Sequence, residues 1–250
     1  MSEWWTYSLS DFLLFSPRTY YRLVELYNLA IWPAQLVALA IGAAILAVLG
    51  SRATWQGRII MVVLAFLWVW VAWAYFLERY ETINWAASYY AAGFMAEAVL
   101  LLWRAAFPGV SFRPNQDLAS RAGLVISASA MFLYPLIAPT LQRPWKQAET
   151  FGIMPDPTAI ATLGILLLAT SRFPWELSAI PLLWCVISSA TLWAMDSVDA
   201  FIPVLATCFV VVLAIRSAGH RSKRGQDHRL NSRSASAGGA SVARRPHCAQ

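Results

Sequence analysis

Residues 59–77 read I-I-M-V-V-L-A-F-L-W-V-W-V-A-W-A-Y-F-L, nineteen consecutive positions without a charged side chain. As a helix this run is about 28 Å long, close to the roughly 30 Å hydrocarbon core of a bilayer. A barrel strand would alternate apolar with polar, and this run does not. It predicts a membrane-crossing α-helix.

Similar runs recur on both sides of it. Upstream lies Leu29 to Gly50, with Pro33 near its start. Downstream are Trp85 to Trp103, Ala122 to Ala138, a short piece from Thr158 to Thr170, then Leu177 to Met195 and Ala200 to Ile215. The prediction is an all-α integral membrane protein, a polytopic helical bundle of about seven transmembrane segments, one of them short. Six remain if the short piece fails to cross: Pro157 to Ser171 is only about 22 Å of helix. Composition agrees, since 59% of the 250 residues are apolar and 13% are charged. Soluble, fibrous and disordered classes are excluded for the body of the chain.

Three parts are expected. Residues 1–28 form an N-terminal interfacial amphipathic segment, 29–216 the helical transmembrane domain, and 217–250 a disordered basic tail. No cleavable signal is expected, because Glu3 and Asp11 stand where a basic leader region would be. Trp4, Trp5 and Tyr7 favour the headgroup zone. Ser16-Pro17 starts a helix, on which Tyr20, Leu23, Val24 and Tyr27 share a face.

Several chemistries are excluded. His220, His228 and His247 all lie in the tail, so no haem or zinc ligand sits in a span, and no metal or other cofactor is expected. Lys146 and Lys223 lie outside the apolar runs, which excludes a retinal-type Schiff base. Cys185 and Cys208 are in apolar runs and Cys248 is near the end, so a disulfide framework is not expected. With no nucleophile–base pair either, enzymatic activity is disfavoured.

Seven spans put Arg18, Arg22, Arg79, Arg143 and Lys146 on the N-terminal side and the other 14 of the 19 basic residues opposite. The positive-inside rule then makes the C-terminus cytoplasmic and the N-terminus periplasmic, in a bacterial cytoplasmic membrane. Arg216, Arg221, Lys223 and Arg224, just past the last span, are expected to contact anionic lipid. No folded reader accompanies these charges, so nucleic acid is not an expected partner.

The few polar residues that interrupt the apolar body are the candidate sites. Glu97 lies inside a span, where a bare charge costs on the order of 2–3 kcal/mol. Tyr90 and Gly93 share its face, and Gly93 would admit a close helix. Glu97 is either a proton- or cation-binding carboxylate or a neutral acid hydrogen-bonded to a neighbour such as Ser127 or Ser129. The second candidate is Asp156-Pro157-Thr158 at the start of the short helix. Asp156 fits a helix cap with Pro157 in the first turn, but a broken helix at membrane depth also points to a transporter binding site. Trp68, Trp70 and Trp73 are expected to pack between helices.

N-L-A-I-W-P-A-Q (28–35), W-V-W-V-A-W-A-Y-F-L-E-R-Y-E-T-I-N-W-A-A (68–87), Y-P-L-I (134–137), F-G-I-M-P-D-P-T-A-I-A-T-L-G-I-L-L-L (151–168) and I-P-L-L-W (180–184) occur in this order and spacing. Over roughly residues 25–215 the chain resembles the bacterial multi-pass family called domain of unknown function 6064. That resemblance implies a permease-like membrane protein handling a small solute or ion. A non-transporting scaffold or accessory subunit is the alternative. The chain departs from the family pattern at Asp156, where relatives tend to have cysteine, and at Tyr75, where histidine is frequent. Any thiol or metal site the relatives built there is absent here.

Overall fold

The computed structural model describes residues 15–217 except 52, 108–110 and 171. Its elements are helices: α1 (Pro17–Ala30), α2 (Ala34–Leu49), α3 (Gln56–Thr82), α4 (Ala87–Ala106), α5 (Leu118–Thr140), α6 (Pro155–Leu167), α7 (Trp175–Ala194) and α8 (Val198–Ser217). Among the described residues α3, α5, α7 and α8 are each long and apolar enough to cross a membrane. The pair α1 and α2 passes the same test jointly, bent by 85°.

Three of the expected spans come out differently. The run from Leu29 to Gly50 is broken, because Pro33 has no N–H to continue α1 and the chain turns before Ala34. Gln35 holds the corner by donating to the carbonyl of Asn28 at 2.8 Å. The expected span from Trp85 to Trp103 becomes α4, whose Tyr89, Tyr90, Glu97 and Arg104 dilute its apolar character. The short piece becomes α6, thirteen residues, about 20 Å, every one buried. A helix enclosed on all sides need not match the thickness of the lipid around it.

Polar ties define two ends of the bundle. At the first, α1 meets the 141–154 loop, where Asn28 donates to the carbonyls of Lys146 and Ala148. There too Tyr21 bonds Ser197 at 2.8 Å, ahead of α8. At the second, the amide of Arg113 donates to the Leu168 carbonyl at 2.9 Å and that of Thr170 to Ser111 at 3.0 Å. Gln56, at the start of α3, donates to the Phe112 carbonyl beside them. Thus α6 runs from one end to the other. Exposed tryptophans ring both: Trp32, Trp85, Trp145 and Trp193 at the first, Trp55, Trp103 and Trp175 at the second.

Between these ends α3 packs along α4, and α5 packs along α6. Trp68 is fully buried, its indole N–H donating to Thr162 Oγ1 at 3.0 Å and its ring 4.2 Å from Phe94. Trp70 and Trp73 are exposed, so of the three only Trp68 packs between helices. Trp68→Phe should therefore lower the unfolding free energy in detergent by about 1–2 kcal/mol, for one lost hydrogen bond and a small void. An unchanged denaturation midpoint would contradict that contact.

Candidate functional site

Asp156 is not the cap of its helix. Met154, in extended conformation, precedes the first turn and Pro155 occupies its first position. Thr158 secures that turn by accepting from the Gly152 amide at 2.8 Å and donating to the Met154 carbonyl at 2.6 Å. Gly152 has φ +75°, a conformation that disfavours side chains. Freed from capping, the Asp156 carboxylate turns inward and accepts from Trp184 Nε1 at 2.8 Å and Ser188 Oγ at 2.6 Å. Trp184 and Ser188 are four apart, hence on one face of α7. Tyr134 OH completes the set at 3.5 Å.

Local widening of two helices brings tyrosines here. α3 passes through a π-helical stretch at Val71–Leu77 that carries Tyr75, and α5 through another at Ser129–Leu133 just before Tyr134. Such insertions rotate the helix face and recur at functional sites.

A second buried carboxylate, Glu149, approaches from the 141–154 loop. Tyr20 of α1 donates to its Oε1 at 3.3 Å, and its Oε2 has no partner among the described residues. Burial pushes the Glu149 carboxyl well above its ordinary value, and the nearby Asp156 and Asp199 push it further. The third carboxylate, Asp199, pairs with Arg143, whose guanidinium lies 4.2 Å from the centre of the Tyr21 ring. Arg143 thus pairs with Asp199 and lies near Glu149, while among the described residues Asp156 is held by Trp184, Ser188 and Tyr134 alone. Beside them is a crevice of about 20 Å³ lined by Tyr20, Tyr75, Tyr80, Tyr90, Trp184 and Ser188. That volume holds a single water molecule.

Glu149 sets a pH dependence. Below about pH 4.5 its carboxyl is protonated whether the chain is folded or not. Above that, the unfolded chain releases the proton first while the folded protein retains it, so stability falls as pH rises towards the folded value. Thermal unfolding in detergent should therefore show a midpoint that declines as pH rises above about 4.5, with a shallower decline for Glu149→Gln. Parallel profiles would contradict the assignment.

The sequence-derived candidates are divided by the structure. Tyr90 joins the Asp156 group, its ring 5.4 Å from Trp184. Glu97 lies elsewhere in α4, fully buried, with neither oxygen hydrogen-bonded among the described residues. The partner considered for it, Ser127, instead bonds the carbonyls of Gly123 and Ala161. Gly93 admits no close helix, since a Cβ there would meet nothing within 4 Å. Pro157 and Thr158 are buried in the first turn of α6. Of the basic group after the last span, Arg216 is exposed at the end of α8. Arg221, Lys223 and Arg224 lie outside the described residues, as do residues 1–14 and 218–250. Among the described residues no three His, Cys, Asp or Glu side chains are grouped to hold a metal ion.

Glu149 and Asp199 belong to no motif in the sequence, and Tyr20 and Tyr134 read there as ordinary helix residues. No spacing rule joins four positions from four elements.

The model of the family of unknown function designated DUF6064 matches residues 18–224. The chain belongs to that family. The matched range takes in every residue of the Asp156 and Glu149 group. No curated protein and no solved structure matches the chain.

Proposed function

We propose that this chain is a seven-span protein of the bacterial cytoplasmic membrane that binds and passes protons at the Glu149–Asp156 site. The two rings of exposed tryptophan support the membrane assignment, because indole rings favour both bilayer interfaces. The ties at the ends of α6 support a seventh crossing: its start belongs with the α1 end and its finish with the opposite one. The termini then lie on opposite faces, the more basic C-terminal one cytoplasmic.

One observation carries the functional reading. Two buried carboxylates, Glu149 and Asp156, come close together, one of them with an oxygen left without a partner among the described residues, beside a crevice with room for one water. Buried acids in a membrane bundle mark proton and ion pathways. A crevice of this size excludes an organic solute, and hydroxyls and carboxyls around a water are the groups that relay protons. The permease-like role narrows accordingly to the smallest cargo.

A scaffold is the second reading, favoured by the complete burial of α6, which makes the same polar group a packing hub. Purified protein in liposomes with an imposed potential and a trapped pH dye separates the two. Proton flux above that of empty liposomes, lost in Glu149→Gln, is expected. Flux equal to the empty control would overturn the proton reading.

A further inference from the structure

A groove of about 930 Å³ opens at the first end of the bundle, between α1 and the end of α3, far larger than the crevice beside Asp156. Arg18 and Arg22 of α1 and Arg79 of α3 line it, together with the apolar side chains of Leu26 and Ile83. Its three arginines outnumber its two acids, of which one is ion-paired and the other hydrogen-bonded to a neutral indole. Glu25 pairs with Arg22 at 2.9 Å and accepts from Gln147, and Glu78 accepts from the Trp73 indole at 3.0 Å. Arg18 and Arg79 form no ion pair among the described residues. Two uncommitted guanidinium groups therefore face one cleft that also has an apolar wall.

The surroundings say what kind of ligand meets such a cleft. α1 turns by 85° from α2, so where α2 crosses a bilayer α1 lies along its surface. Exposed Trp85 and Trp145 stand at the same end, at the level where indole rings settle among headgroups. A guanidinium fork matches a phosphate oxygen pair.

We propose that this groove holds an anionic phospholipid, its phosphate between Arg18 and Arg79 and its acyl chains descending past Leu26 and Ile83. The proposal rests on the membrane assignment but not on proton transfer. It differs from lipid contact at Arg216, which lies where α8 finishes, at the opposite end of the bundle.

The test uses the full chain in nanodiscs of equal parts phosphatidylglycerol and phosphatidylcholine, then native mass spectrometry of the lipids kept on extraction into detergent. Wild-type protein should keep phosphatidylglycerol in preference. The double variant Arg18→Gln/Arg79→Gln should lose that preference by about tenfold, while Arg121→Gln, near the other end, keeps it. Equal retention by wild type and double variant, or an equal loss in Arg121→Gln, would overturn the proposal. Displacement of the lipid by millimolar inorganic phosphate would also overturn it, by making the site one for a free anion.

A second measurement needs no arginine variant. A bimane label at Leu26→Cys should be quenched more by chain-brominated phosphatidylglycerol than by the brominated phosphatidylcholine. Equal quenching would mean that something other than anionic lipid, such as residues 1–14 of the chain, fills the groove, and would overturn the proposal. Failure of the membrane assignment itself reads differently, as retention of neither lipid. Failure of the proton reading leaves both lipid measurements unchanged.

Discussion

Asp156→Ala is expected to destabilise the protein by about 3–5 kcal/mol and to abolish proton flux. The magnitude follows from what the carboxylate satisfies. Trp184 Nε1–H and Ser188 Oγ–H are buried and both donate to it. Without it each is left desolvated and unpaired, at about 1–3 kcal/mol apiece. Asp156→Asn divides the structural part from the chemical part. Its amide oxygen can accept from Trp184, and its NH₂ can donate to the Ser188 oxygen, so the loss of stability should be about 1–2 kcal/mol. The amide cannot take up or release a proton near neutral pH. Flux lost in a well-folded Asp156→Asn protein supports a proton site. Flux retained in that variant removes Asp156 from the pathway, whereas wild-type protein with no flux and an unstable Asp156→Ala variant would leave Asp156 as a packing element of a scaffold.

How far this site is readable in a sequence depends on which physical rule governs each residue. Residues 59–77 are apolar for the length of a bilayer, and nothing but a spanning helix satisfies such a run, so α3 is legible at once. Asp156 is equally conspicuous because it interrupts an apolar stretch between two prolines. Its role is not, since an aspartate before proline matches the capping pattern, while here Pro155 takes the first helical position and the carboxylate turns inward. Pro33 marked a weak point in the first apolar run, and the 85° bend realised there separates α1 from α2. Tyr75 and Tyr134 were illegible for a different reason. The π-helical stretches at Val71–Leu77 and Ser129–Leu133 shift the helical register, so face assignments based on regular turns fail from those points on. Glu97 shows the converse: its burial follows from the pattern, but one of the two neighbours expected for it, Ser127, is committed to the carbonyls of Gly123 in its own helix and Ala161 across the α5–α6 contact.

That contact supports the second large effect. A Cβ on Gly164 would lie 2.5 Å from Ser127 Oγ and 2.8 Å from the Gly123 carbonyl oxygen, and one on Gly123 would lie 2.6 Å from the Gly164 carbonyl oxygen. The helices therefore touch backbone to backbone, with Ser127 bonding across to the Ala161 carbonyl at 3.3 Å. A flexible side chain could move aside, but the Gly123 and Gly164 carbonyls cannot move without their helices. α6 has nowhere to retreat, since every residue from Pro155 to Leu167 is buried. Gly164→Ala should therefore cost about 3 kcal/mol, the upper end for overpacking, and lower the melting temperature in detergent by roughly 6–12 °C. Gly164→Leu should prevent recovery of monodisperse protein. Gly93→Ala is the matched control, because a Cβ there meets nothing and alanine favours the helix, so its midpoint should stay level or rise slightly. If Gly164→Ala melts with the wild type, α5 and α6 are not in backbone contact. If it melts lower as expected, proton flux should fall with it even in the folded fraction, because the methyl group pushes α6 away from α5, and the first turn of α6 holds Asp156 against Trp184 and Ser188.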